Sequence, residues 1–265
     1  MLTIFGRFGS CPNQNTYRFG LPILTEHKQF YFPHFCIFSK FQNSHVALSD
    51  WLKVIHLFSC DLQLYQIQNL MKHLSKKTVI GMLKKLRNVC KEEVERTNTT
   101  LVFGDEVEMI SHIEIDEAYF GKKRKDNKGK CFKKQWVFGI TERGSNKVFF
   151  KIIDDRKKRT LLPIISKYVS HSAMIHHDDW PAYRSLHDLG YSHIAVKHTK
   201  QFKAANGACI NTIEGIWGVV KQRISRMHGV ELSKLDSYLN EYAFRYSNKK
   251  NMLNALILAI SNSKY

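Results

Sequence analysis

Ile113-Glu114-Ile115-Asp116-Glu117-Ala118-Tyr119-Phe120-Gly121 sets apolar and acidic side chains in alternation. Successive side chains of a strand point to opposite faces, so the run predicts a strand with one face buried and its carboxylates on the other. Working outward, a second apolar run, Ala173-Met174-Ile175-His176-His177-Asp178-Asp179, stops just before Trp180-Pro181, and Asn211-Thr212-Ile213-Glu214-Gly215-Ile216-Trp217 opens a helical pattern. Asp178 follows Asp116 by 62 positions, and Glu214 follows Asp178 by 36. Most of the 23 acidic residues of the chain are expected to solvate its surface. Asp116, Asp178 and Glu214 stand out because two close apolar strands and one opens an amphipathic helix, so that all three can converge on one crevice.

Carboxylates presented in this way suit hard divalent cations. Magnesium and manganese prefer carboxylate oxygen and keep several waters, so a few acids from different elements suffice to hold two ions. Two such ions serve phosphodiester cleavage and transfer, which need charge neutralised at the attacking and the leaving oxygen. For Glu214 alone, a first-turn acid that merely complements the helix dipole is an equally good reading.

Between the acids the patterns are legible. A basic stretch, Lys122 to Lys134, precedes Gln135-Trp136-Val137-Phe138-Gly139-Ile140-Thr141-Glu142, and a Gly144-Ser145-Asn146 turn leads into Lys147 to Ile153, which predicts a hairpin. Thr160 to Val169 reads as an amphipathic helix, Pro181 to Leu189 as a short helix, and His193 to His198 as a strand. The predicted order, β-β-β-α-β-α-β-α, is that of an α/β, ribonuclease H-like catalytic domain, an order that by itself does not establish function. On the last helix Ile213, Ile216, Trp217, Val220 and Ile224 form a buried stripe, and Glu214, Gly218, Lys221 and Ser225 share an adjoining edge that would suit a phosphate backbone.

At these segments the chain resembles the DDE transposases of the eukaryotic Merlin group and their bacterial insertion-sequence relatives. The stretches that carry the resemblance are IEIDEAYFGKKRK (113–125), WVFGITERGSNKVFF (136–150), DRKKRTLLPII (155–165), HDDWPAYRSLHDLGYSHIAVKH (177–198) and NTIEGIWGVVKQRI (211–224). The resemblance implies Asp116, Asp178 and Glu214 as the catalytic metal ligands for two Mg²⁺ or Mn²⁺ ions, and it selects Asp178 over Asp179. It implies transposon-end and target DNA as double-stranded partners, with a homo-oligomer assembled on them. It also singles out His198 and Asn211 beside the site, as phosphate contacts, as support for the ligands, or as a satisfied polar pair.

Composition agrees with a polyanionic partner. The 265-residue chain carries 41 Lys and Arg against 23 Asp and Glu, a formal charge of +18, and each neutralised phosphate adds salt-sensitive affinity. No apolar stretch approaches the length of a membrane span, and Met1 to Arg7 lacks the pattern of a signal peptide. Cys11, Cys36, Cys60, Cys90, Cys131 and Cys209 form no close pairs, which predicts reduced thiols inside a cell. That compartment is the nucleus if the source is eukaryotic, as the Merlin-like wording favours, and otherwise a bacterial cytoplasm.

The expected organisation has three parts. Residues 1–40 are irregular; relatives implied by the resemblance carry a zinc ribbon there, but Cys11 and Cys36 each lack a nearby partner cysteine, so zinc is not expected. Residues 41–96 read as three helices, Ala47 to Phe58, Leu62 to Leu74 and Lys76 to Arg96, with Ser75 as an N-cap. Val79, Met82, Leu83, Leu86, Val89 and Cys90 form the buried stripe of the third, leaving Lys76, Lys77, Lys84 and Lys85 outside, either as the basic recognition helix of a helix-turn-helix-like DNA-binding domain or as the solvated face of a plain bundle. Residues 97–265 make up the catalytic domain and two C-terminal helices. The leading expectation is metal-dependent DNA cleavage and strand transfer; a nuclease of the same fold and a catalytically inactive, transposon-derived DNA-binding protein remain open.

Overall fold

In the computed structural model the acidic stretch is a central strand, β1 (His112–Phe120), with neighbours on both sides. The structure describes residues 44–105, 110–121, 135–196, 210–227 and 229–263. The expectations on residues 1–40, on the Lys122–Lys134 stretch and on His198 lie outside them.

β1 pairs antiparallel with β2 (Gln135–Glu142), which pairs antiparallel with β3 (Val148–Ile153) through the hairpin turn at Gly144, φ 75°. On its other side β1 pairs parallel with β4 (Met174–Asp178), and β4 with β5 (Ser192–Val196). The sheet order is β3-β2-β1-β4-β5. Three antiparallel strands extended by parallel ones reached through helical crossovers make the ribonuclease H-like arrangement that the sequence predicts. The helices are α1 (Leu48–Ser59), α2 (Leu64–Leu70), α3 (Lys76–Thr97), α4 (Lys158–Tyr168), α5 (Asn211–Arg226), α6 (Leu232–Ser247) and α7 (Met252–Asn262), with a 3-10 helix at Pro181–Leu189.

One expectation needs correction. β1 is buried on both faces, not one, because helices cover the sheet on each side, and its acids divide between them. Ile113 and Ile115 meet Phe138, Ile140, Leu161, Ile165 and Ile175 in one core beneath α4. Ala118 and Phe120 meet Trp217, Val220 and Phe244 in the other, beneath α5 and α6. Glu114 and Asp116 alternate onto the α5 side, while Glu117 alternates onto the α4 side among apolar residues.

The helices of residues 44–97 share the second core: Trp51, Ile55, Ile67, Val79, Leu86 and Cys90 are continuous with Leu239, Tyr242, Leu256 and Ile260. Ser75 caps α3 as expected, its hydroxyl accepting from Thr78 N–H at 3.1 Å. α2 is shorter than its sequence pattern. It ends at Leu70, and beyond it a backbone turn from Leu74 N–H to the Met71 carbonyl at 2.9 Å and the Gln68 side chain, donating to the Leu74 carbonyl at 2.9 Å, hold the chain. A buried carboxylate, Glu241 on α6, ties the layers together: it accepts from Arg87 of α3 at 3.0 Å, Arg245 of α6 at 2.8 Å and Arg223 of α5 at 3.3 Å. These cations hold its carboxyl below the ordinary range although burial opposes them. No helix among the described residues is long and apolar enough to cross a membrane.

Candidate metal centre

Adjacent parallel strands bring the first two acids level. β1 and β4 pair as His112 with Met174, Ile113 with Ile175 and Glu114 with His176, a constant offset of 62 residues. That is also the separation of Asp116 from Asp178, so continuing the register by two residues sets these side chains beside one another on the α5 face, at the C-terminal ends of both strands. Carboxylate oxygens of Asp116, Glu117 and Asp178 all lie within 4.8 Å of one another. Asp179 is exposed.

Glu214 stands in the first turn of α5, exposed, and is not one of that close group. Its charge nevertheless reaches Asp116. Burial, and then the charges of Glu117, Asp178 and Glu214, push the Asp116 carboxyl up to about 7, against a hydrogen bond from the Glu117 backbone. Closely spaced carboxylate oxygens of this kind fit hard divalent cations.

Two features hold α5 where Glu214 can face the strand ends. Gly139, paired with Asp116 across β1 and β2, lies under Trp217: a Cβ there would sit 2.5 Å from the indole, so only glycine permits the helix to approach. Glu114, two residues before Asp116 on the same face, is fully buried and accepts from the Ile213 backbone N–H at 2.9 Å, Thr212 Oγ1 at 3.1 Å and Arg143 Nε at 2.6 Å. It therefore closes the N-terminus of α5, satisfying an amide that no helical carbonyl reaches and complementing the dipole.

Glu117 has partners of its own. Arg156 donates to its Oε2 from Nε at 2.9 Å and Nη2 at 2.6 Å, and the Tyr183 hydroxyl donates to Oε1. Burial raises the Glu117 carboxyl, opposed by Tyr183 and Arg156, and burial likewise raises the Tyr183 hydroxyl. Arg156 Nη2 also lies 3.5 Å from Asp178 Oδ2, and the Trp180 backbone N–H donates to Asp178 Oδ1 at 3.2 Å. Next to Asp178, His176 pairs with His112 at 2.9 Å and His177 with His193 at 2.9 Å. Burial and the nearby Arg143 push the His176 imidazole down to about 4, so it is neutral at physiological pH.

The remaining sequence candidates lie further out. Asn211 is exposed at the first position of α5. Lys221, exposed two turns beyond Glu214, lines an open cavity of about 520 Å³ together with Tyr119, Phe120 and Ser225. Lys76, Lys77, Lys84 and Lys85 are all exposed on α3, with the Lys85 ammonium 5.7 Å from the Trp51 ring centre. Sequence reasoning passed over Glu114, Glu117, Arg156 and Tyr183. The period-two placement of Glu114 relative to Asp116 was a usable signal; for the others nothing local revealed the pairing.

A sheet of this order, with acids meeting at the ends of β1 and β4 and an acid-bearing helix packed on it, defines a ribonuclease H-like domain. Residues 108–247 match the model of the ISXO2-like transposase domain, and the chain belongs to that family. It is 28% identical over 104 residues to an uncharacterized transposase-like protein of Haemophilus influenzae, an alignment covering 39% of this chain and 84% of that protein. Among solved structures it is distantly similar to the HTLV-2 integrase catalytic core domain in complex with magnesium, at a TM-score of 0.32 and 14% identity, over 53% of this chain and 86% of that one. It is also similar to a pre-cleavage Mos1 transpososome, at a TM-score of 0.29 and 12% identity, over 79% of this chain and 77% of that one.

Proposed function

We propose that this transposase-family chain binds the DNA ends of a mobile element, cuts them in a reaction dependent on Mg²⁺ or Mn²⁺, and joins the freed 3′-hydroxyl to target DNA. The observation that most supports the reading is the level placement of Asp116 and Asp178 on adjacent parallel strands, with Glu214 near enough for its charge to act on Asp116. In this reading Asp116, Asp178 and Glu214 hold the cations. When bound, those cations would neutralise charge developing on the phosphate and activate the attacking oxygen.

The chain's own residues do the rest. Glu114 fixes the start of α5 and so the reach of Glu214. Arg156 and Tyr183 take up Glu117, offsetting its charge beside the cluster, while Arg156 and the Trp180 amide orient Asp178. Lys221 and Asn211, and His198 outside the described residues, serve as phosphate contacts or support. Residues 41–96 touch DNA through α3, using Lys76, Lys77, Lys84 and Lys85, and the active form is a homo-oligomer on paired ends. The protein works in the nucleus of a eukaryotic host or in the cytoplasm of a bacterial one.

The test is a nicking and joining assay on paired element ends with Mg²⁺ or Mn²⁺. Asp116→Asn, Asp178→Asn and Glu214→Gln should each lose on the order of a thousandfold in rate while still binding DNA. Asp179→Asn should be far milder. Nicked DNA without joined product would make the chain a nuclease; binding without nicking by the unaltered chain would make it a DNA-binding protein.

A further inference from the structure

Trp180 follows Asp178 by two residues and is the most exposed of the four tryptophans at 36%, while Trp51 and Trp217 are 1% and 4% exposed. An indole left partly in water at the rim of an acid cluster invites a reason, since fuller burial would be favourable. Nor is it a loose side chain. Its backbone N–H donates to Asp178 Oδ1 at 3.2 Å, and its indole N–H donates to the Arg156 carbonyl at 2.8 Å. The Arg156 guanidinium lies 4.1 Å from its ring centre and, in turn, 4.8 Å from that of Trp136, which packs against Tyr119 at 4.7 Å. Arg156 is itself fixed by Glu117.

The indole N–H is therefore spent inside the protein, and the partly exposed ring, with Arg156 against it, has only its π system left to offer a ligand. It is held in place before any ligand arrives, so little rotamer entropy remains to be lost on binding. Such a surface discriminates weakly between bases, because every nucleobase has a π-face. In a duplex those faces are already covered by neighbouring bases, so one must be exposed by unstacking the step.

We infer that Trp180 is a stacking platform for an unpaired nucleobase, that of the nucleotide beside the phosphate held at the acid cluster. This rests on the reading of that cluster as a DNA-processing site. Bound DNA is then opened by at least one base at the position of reaction. Trp180 contributes to holding the strand there, while Asp178, anchored by the same residue's amide, sits at the phosphate.

The experiment uses the full chain and a forked DNA carrying one unpaired 2-aminopurine at the junction, with Ca²⁺ as a carboxylate-binding cation. Binding is read by anisotropy and stacking by quenching of the 2-aminopurine. The unaltered protein and Trp180→Phe should quench at least twofold; Trp180→Leu should not, and its affinity should fall about tenfold. An abasic site in place of the probe base should cost the unaltered protein a similar factor and cost Trp180→Leu nothing further. That arm needs no folded variant, since loss of affinity at the abasic site in the unaltered protein tests the contact by itself. Equal affinity for the base-containing and abasic forks, or quenching by Trp180→Leu as strong as by the unaltered protein, overturns the inference. Nicking of element ends by the same preparation reports separately on the wider reading: nicking without Trp180-dependent quenching overturns the platform alone, and quenching without nicking overturns the transposase chemistry while the platform stands.

Discussion

The Glu114 carboxylate on β1 accepts the Ile213 backbone N–H at 2.9 Å, so the strand that carries Asp116 also fixes the helix that carries Glu214. One buried acid thus sets the distance between two others. Glu114→Gln keeps the shape but removes the charge that Arg143 and the helix N-terminus both use. We expect DNA cleavage to fall by roughly ten- to a hundredfold, as for outer partners of metal ligands, with the midpoint of metal dependence moved to higher cation concentration. Titration of nicking rate against Mn²⁺ checks this; an unchanged metal dependence would separate Glu114 from the site.

Asp116 supplies a pH-dependent test. Its carboxyl is raised from the ordinary 3.8 to about 7 by burial and neighbouring acids. Between those values the folded protein keeps a proton that the unfolded chain has released, so in the absence of cations stability falls as pH climbs from about 4 to about 7 and then levels. Asp116→Asn lacks this penalty. In EDTA it should be more stable than the unaltered protein at pH 8, by on the order of 2 kcal/mol because the group is only partly buried, and equal to it at pH 4. Added Mg²⁺ should reverse the order at pH 8, since a ligand stabilises only the protein that binds it. Melting curves at the two pH values, with and without Mg²⁺, decide the matter.

Glu241 joins α3, α5 and α6 through three arginines. Glu241→Gln leaves Arg87, Arg223 and Arg245 crowded without their counter-charge, and breaking a buried network of this kind costs about 3–5 kcal/mol. Urea unfolding should show a lower midpoint with a single transition, because the N-terminal helices and the sheet layer share one core. Two separated transitions would mean that the helices of residues 44–97 unfold on their own.

What the sequence made legible was what is local. The alternation at Ile113 to Asp116, the glycine turn at Gly144 and the Ile213–Trp217–Val220 stripe each follow from a repeat of a few residues, and the order of elements followed from them. Partners that meet only in the folded chain left no such trace. The partners of Glu117 were not legible because its arginine and tyrosine stand 39 and 66 residues away, and the Glu114 contact with α5 spans 99. α2 ends at Leu70, and the turn beyond it, which Gln68 bridges to Leu74, is a local contact that apolar periodicity does not encode.

The exposed face of α3 offers a last test, through Gly81. A Cβ at this position would meet nothing within 4 Å, so no packing within the protein demands glycine there. In a helix interior glycine costs about 1 kcal/mol relative to alanine. Around it stand the exposed Lys77 and Lys84 and an Ile80 that is 45% exposed, a basic face with an apolar contact at its centre. If α3 lies in a DNA groove, the bare backbone at Gly81 is where the duplex comes nearest, and a methyl group there would hold it off. Gly81→Ala should therefore raise the melting temperature while weakening DNA binding severalfold, two effects of opposite sign that a purely structural glycine would not give. Lys76→Ala with Lys77→Ala should in parallel flatten the dependence of log affinity on log salt by about two, one for each lost phosphate contact. Gly81→Ala with raised stability and unchanged affinity, together with an unaltered salt slope in the lysine variant, would leave α3 as a solvated face of the bundle and move the DNA contacts elsewhere on this strongly basic chain.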